Sequence, residues 1–126
     1  MMPEAGAYLD KAGECLDEAQ KIYEIGLAAV AARSAYYAAF HAAEAFIIAR
    51  SGKIAKSHSG VRSEFSRLSK TDPTISDFSS FLAQAYKYKE IGDYGVGTNT
   101  IITLSTANEA IETAQRFVAC VTRLLG

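Results

Sequence analysis

The stretch AAVAARSAYYAAFHAAEAFIIAR, residues 28 to 50, decides the fold. Ala28, Ala29, Ala31, Ala32, Ala35, Ala38, Ala39, Ala42, Ala43 and Ala45 fill it, and most of what remains is aromatic or aliphatic. Alanine has the highest helix propensity, so the segment is expected to be a helix over 27–50. It has almost no polar face. A helix that is apolar all round is covered on all sides, so this one belongs at the centre of a bundle or in a dimer interface. Its small side chains let neighbouring helices come close. "ARSGK" stops it, with Gly52 as the residue that leaves the helix.

Helical period continues on both sides. Residues 4 to 25 repeat apolar positions at Tyr8, Leu9, Ala12, Leu16, Ala19, Ile22 and Tyr23, one buried stripe of a first helix. Gly26 is placed to cap it. After the loop "KIAKSHSG", Ser57 or Ser59 can cap a short third helix of about residues 59–69. "KTDPT" is a boundary: Asp72 or Thr74 can cap a fourth helix, with Pro73 in its first turn. Phe78, Phe81, Leu82, Ala85 and Tyr86 form its apolar stripe, and "GDYGVGTNT" breaks it. The last helix is expected to begin at Thr106, where Thr-x-x-Glu with Glu109 reads as a capping box. Ala107, Ala110, Ile111, Ala114, Phe117, Val118, Val121, Leu124 and Leu125 line its inner face. "TNTIITL" is the only strand candidate, and it is short. The expectation is one all-α domain over 1–126, an antiparallel bundle of about five helices, four long and one short.

Bulk properties narrow the class. Apolar residues make up 49% and charged residues 21% of 126, which is ordinary globular composition. No apolar run reaches the length of a membrane span. The start, "MMPEAGAYLD", has neither the basic nor the apolar segment of a secretion signal, which points to the cytoplasm. Cys15 and Cys120 sit in helical apolar patterns without metal-ligand spacing, so they read as free thiols, and neither a metal nor a cofactor is expected. A di-metal bundle is excluded too, because Glu-x-x-His pairs are absent.

Net charge is −1, but its distribution is uneven. Residues 4–24 carry Glu4, Asp10, Glu14, Asp17, Glu18 and Glu24 against Lys11 and Lys21. Residues 50–70 carry Arg50, Lys53, Lys56, Arg62, Arg67 and Lys70 against Glu64. Such a local basic excess can attract phosphate, or it is a solvated loop and helix face that balances the acidic first helix.

Three constellations could carry chemistry. On the central helix, Arg33, Tyr37, Phe40, His41, Glu44 and Ile48 share one broad stripe. His41 and Glu44, three residues apart, can pair. Buried unpaired, these groups would cost several kcal/mol, so the stripe is either an internal polar network or the wall of a polar groove. In "KIAKSHSGVR", Lys56, His58 and Arg62 surround a helix start, a setting that suits an anion. It is no Walker A motif, and nothing in the chain resembles a serine nucleophile elbow. In "YKYKEIGDYGVG", Lys87 and Lys89 stand beside Tyr86 and Tyr88, and cations beside aromatic rings can hold bases and phosphates.

"RSAYYAAFHAAEAF" followed by "KIAKSHSGVRSEF" closely resembles small stand-alone proteins of the HEPN family (higher eukaryotes and prokaryotes nucleotide-binding). The shared pattern is an R-x-x-YYA-x-FHAA helix, a short loop, then K-[ST]-HSGV. It spans about residues 28–68, and Asp93-Tyr94 and the final amphipathic helix also fit. The resemblance implies a bundle of about five helices, usually a homodimer, often encoded beside a minimal nucleotidyltransferase as a toxin–antitoxin-like pair. Many members are metal-independent ribonucleases whose signature is an arginine, four to six residues, then a histidine. Here the later helix carries Lys87, Lys89 and Asp93 instead, and Arg33 and His41 of the central helix have seven residues between them.

Three readings follow. In the first, the protein binds a nucleotide, RNA or a nucleotidyltransferase partner through Arg33, Tyr37, His41, Glu44, Lys56, His58, Arg62, Lys87, Asp93 and Tyr94. In the second it is a ribonuclease toxin with His41 or His58 as acid/base and Lys56, Arg62 or Lys87 stabilising the phosphorane. In the third it is a non-catalytic dimer module.

Overall fold

A computed structural model describes residues 1–94 and 101–126, without the side chains of 92–94. The first helix, α1 (Pro3–Glu24), turns into α2 (Ala28–Ser51) over three residues. The turn is a Schellman motif: Gly26 N–H bonds Tyr23 O at 2.9 Å and Leu27 N–H bonds Ile22 O at 3.3 Å. Gly26 takes φ of 83°, which a side chain would resist. At the other end of α2, Gly52 is left-handed and its N–H returns to Ile48 O at 2.9 Å.

Helix α3 (His58–Ser69) opens on Ser57, whose Oγ accepts from Gly60 N–H at 2.9 Å. So Ser57, not Ser59, is the cap. The segment expected as one fourth helix is in two parts. Asp72 caps the single turn α4 (Pro73–Ser76), accepting from Thr74 N–H at 3.0 Å and Thr74 Oγ1 at 2.6 Å. Asp77 keeps right-handed helical angles, and α5 (Phe78–Tyr94) follows at once. The α5 backbone runs on through Gly92, Asp93 and Tyr94; the remainder of the expected break, 95–100, lies outside the described residues. Helix α6 (Leu104–Leu125) begins a little before the expected Thr106. Thr103 Oγ1 accepts from Thr106 N–H at 3.1 Å, so Thr106 is the third residue of the helix and not its cap. Among the described residues there is no strand, and Ile101–Thr103 of the strand candidate are irregular.

Four long helices, one short helix and one turn thus make an all-α bundle. Helix α2 is its axis and packs against α1, α3, α5 and α6. Helices α1 and α3 lie against different parts of α2 and do not touch each other. At one end of α2, Ala31, Ala32, Ala35 and Ala38 meet Ala19 of α1 and Ala107, Ala110, Ile111 and Ala114 of α6. Alanine buries little area, but it lets backbones close to dispersion contact. At the other end the space widens and Tyr36, Phe46, Phe65, Leu82 and Phe117 fill it. Phe65 links Phe46 and Phe117 through edge contacts at 5.4 and 5.2 Å. Both cysteines are free, Cys120 buried and Cys15 partly so. No described helix is long and apolar enough to cross a membrane.

Candidate functional site

Three helices bring polar and aromatic side chains to one place. The cap at Ser57 makes His58 the first residue of α3 and sets Arg62 one turn later on the same side. That side meets α2 at Tyr36, Tyr37 and Phe40, and α5 at Tyr86. The His58 ring stacks on Phe40 with centroids 4.4 Å apart. Tyr37 meets it edge-on at 6.0 Å, and Tyr86 lies 5.4 Å away. Its Nδ1 is 2.7 Å from the hydroxyl of Tyr36, which is fully buried.

Burial drives the Tyr36 phenol far above its usual range of acidity, and the nearby Arg62 cation only partly opposes that shift. Tyr36 is therefore a neutral phenol at any physiological pH. The phenol and His58 Nδ1 share one hydrogen bond, with the Arg62 guanidinium close to the same oxygen. Arg62 stands over the Tyr86 ring at 4.5 Å, and its Nη1 is buried without a hydrogen-bond partner. Lys89 Nζ reaches the same ring at 6.0 Å.

Along α2 the site continues. His41 Nδ1 pairs with Glu44 Oε1 at 2.7 Å, with side chains 17% and 12% exposed. The pair is half-open, not sealed in the core. Its imidazole leans on Phe40 at 5.6 Å, and Arg33 covers Tyr37 at 5.4 Å. Arg33, Tyr37, His41, Glu44, His58 and Arg62 therefore form one connected surface, joined through Tyr37 and Phe40.

The other sequence candidates lie elsewhere. Lys56 is exposed in the loop before α3 and makes no described contact with His58 or Arg62. His58 turns inward onto Phe40, so Lys56 does not join His58 and Arg62 around a common point. Lys87 packs on Tyr88 at 5.7 Å, and Tyr88 lines a separate cleft between α5 and α6. The side chains of Asp93 and Tyr94 lie outside the described residues. Sequence reasoning missed Tyr36: the stripe through Arg33 and His41 selects Tyr37, and Tyr36 faces α3, whose position no spacing within α2 reveals. Tyr86, which the sequence offers both as a core residue and as a ring beside Lys87 and Lys89, meets His58, Arg62 and Lys89. No group of three or more metal-ligating side chains exists among the described residues.

The HEPN domain model matches residues 5–124. This chain belongs to the HEPN family. It is similar to a UPF0332 protein of Thermotoga maritima, 31% identical over 86 residues, covering 68% of this chain and 64% of the relative. It is also similar to a UPF0332 protein of Archaeoglobus fulgidus, 32% identical over 95 residues and 75% of each chain. The matched stretch includes α2, α3 and α5. Arg33 and His41, the only arginine and histidine of the HEPN helix α2 that approach the family's spacing, engage Tyr37 and Glu44 respectively.

Proposed function

We propose that this HEPN protein binds single-stranded RNA or a nucleotide on the surface formed by α2, α3 and α5, as one component of a toxin–antitoxin-like pair with a minimal nucleotidyltransferase, and acts as a homodimer in the cytoplasm. The observation that carries the reading is Arg62. Its guanidinium is spread over Tyr86 with one buried nitrogen unsatisfied. Arg62 as a whole is only half-buried, and a phosphate oxygen at its accessible part would make a charge-assisted bond. Tyr37, Tyr86 and the His58 ring supply the flat faces on which unpaired bases stack, each worth about 1–3 kcal/mol. The exposed cations Lys53, Lys56, Arg67 and Lys70 extend the positive surface around α3.

Direct titration of a labelled single-stranded RNA, and separately of ATP, tests this. Arg62→Ala and Tyr86→Ala should each weaken the productive ligand by about tenfold or more. Unchanged affinity in both variants would refute the site.

One observation favours a second reading, a metal-independent ribonuclease. The Tyr36 hydroxyl, 2.7 Å from His58 Nδ1, anchors the imidazole in the same cluster as Arg62. In that reaction the RNA 2′-hydroxyl attacks the adjacent phosphorus, a histidine takes its proton, and the 5′-oxygen leaves, giving a 2′,3′-cyclic phosphate. Arg62 would stabilise the charge on the phosphorane oxygens. Cleavage of an RNA pool in the presence of a metal chelator, lost in His58→Ala or in His41→Ala, would establish it. No cleavage by the wild type leaves the binding reading.

A further inference from the structure

A second cleft lies between α4, the start of α5 and the last turns of α6. It holds about 340 Å³ and is lined by Thr74, Phe78, Arg116, Ala119, Cys120 and Arg123. It shares no residue with the His58 surface. The volume is at the lower end of small-molecule sites. Arg116 and Arg123 are two helical turns apart on the same side of α6, a rise of about 10.5 Å. Cys120 sits between them at the floor.

The polar groups of the floor are already satisfied from within. The Cys120 thiol donates to Thr74 O at 3.4 Å, and the Thr74 hydroxyl donates to Asp72 Oδ1 at 2.6 Å. Phe78 is stacked from beneath by Phe117, centroids 4.8 Å apart, which fixes its ring as a rigid wall. The two guanidinium groups are different. Arg116 makes only a 3.2 Å bond to Thr113 Oγ1, and Arg123 makes no side-chain hydrogen bond or ion pair among the described residues. The carboxylate one turn before Arg116, Glu112, is held by Asn108 Nδ2 at 3.0 Å instead. A cleft with an apolar, internally satisfied middle and an uncompensated guanidinium at each end selects a ligand of matching charge pattern.

We propose that this cleft binds a small organic bisphosphate: two phosphate groups joined by a neutral spacer, with one phosphate at Arg116, the other at Arg123, and the spacer against Phe78 and Ala119. Arginine's planar fork suits each phosphate. A monophosphate can engage only one end.

Adenosine 3′,5′-bisphosphate is the probe, titrated calorimetrically at about 50 mM salt so that screening does not hide the contacts. Arg116→Gln and Arg123→Gln change exposed side chains, so both variants should fold with the wild-type circular dichroism spectrum and melting temperature. Each should weaken the probe by about tenfold or more, and adenosine monophosphate should bind the wild type weaker by a similar factor. The affinity for single-stranded RNA should stay within about twofold in Arg116→Gln and Arg123→Gln, which separates this cleft from the α2–α3–α5 surface. Equal affinity in the doubly substituted variant, equal binding of the monophosphate, or no binding at millimolar probe would each overturn the proposal.

Discussion

Replacing Tyr36 by phenylalanine removes one oxygen and nothing else. The ring keeps its neighbours, Phe40 at 6.0 Å, Tyr86 at 5.9 Å and His58 at 5.7 Å, so no cavity opens. What is lost is the 2.7 Å bond to His58 Nδ1. The net value of such a bond is about 1 kcal/mol, and leaving a buried partner unsatisfied adds about 1 kcal/mol more. His58 is half-buried, so water recovers part of the second contribution. The expected cost is about 1.5 kcal/mol, or a melting temperature lower by roughly 5–8 °C for a chain of this length. Urea unfolding followed by circular dichroism measures it. Pairing Tyr36→Phe with His58→Phe, which preserves the stack on Phe40, isolates the bond as a coupling of about 1 kcal/mol. A coupling near zero, or a cost for Tyr36→Phe below about 0.5 kcal/mol, would show that the phenol does not hold the imidazole. The anchoring of His58 by Tyr36 would fall with it.

Alkaline stability tests the same phenol by another route. Its folded acidity is shifted upward, chiefly by burial, so the folded state holds this proton more tightly than the unfolded chain. The contribution is fully present below about pH 10 and is lost as pH rises beyond it, at up to about 1.4 kcal/mol per pH unit; Tyr36→Phe should flatten that loss relative to wild type in unfolding titrations between pH 9 and 11. Ser69 is fully buried and its hydroxyl has no partner, so Ser69→Ala should leave stability unchanged or raise it by up to about 1 kcal/mol; a clear loss would mean that the hydroxyl is bonded. Thr103→Ala removes the α6 cap and should cost about 1 kcal/mol, read as a lower urea midpoint with an unchanged slope.

The architecture was legible because α2 is so extreme. Its alanines leave a helix no exposed face to present, and that alone places it on the axis with others around it. Glycine and the short polar caps then set most boundaries: Gly26, Gly52, Ser57 and Asp72 all act as their residue types suggest. The start of α6 was misplaced because two threonines three residues apart offer equivalent caps, and Thr106 has an acidic residue at the right distance to attract the assignment. The site was legible only within one helix. His41 and Glu44 pair as their spacing requires, but His58 and Tyr36 are 22 residues apart. Their meeting depends on how α3 docks, and a side chain's partner on another helix leaves no periodic trace. The adjacent tyrosines show the limit most clearly: on α2 they point about 100° apart, and only the packing decides which of them is buried against the imidazole.

The placement of α1 and α3 against separate parts of α2 has an electrical consequence. All six acidic side chains of α1 are exposed, and so are five of the six basic ones between 50 and 70, while the chain as a whole is almost neutral. A nearly neutral body with opposite charges on separate flanks is a dipole. In the field of a polyanion it experiences little net pull at a distance but a definite torque, which turns the α3 flank forward and the α1 flank away. Orientation, more than attraction, is then what charge contributes to an encounter. That contribution fades once the salt screening length falls well below the size of the molecule, about 3 Å at 1 M against about 10 Å at 0.1 M.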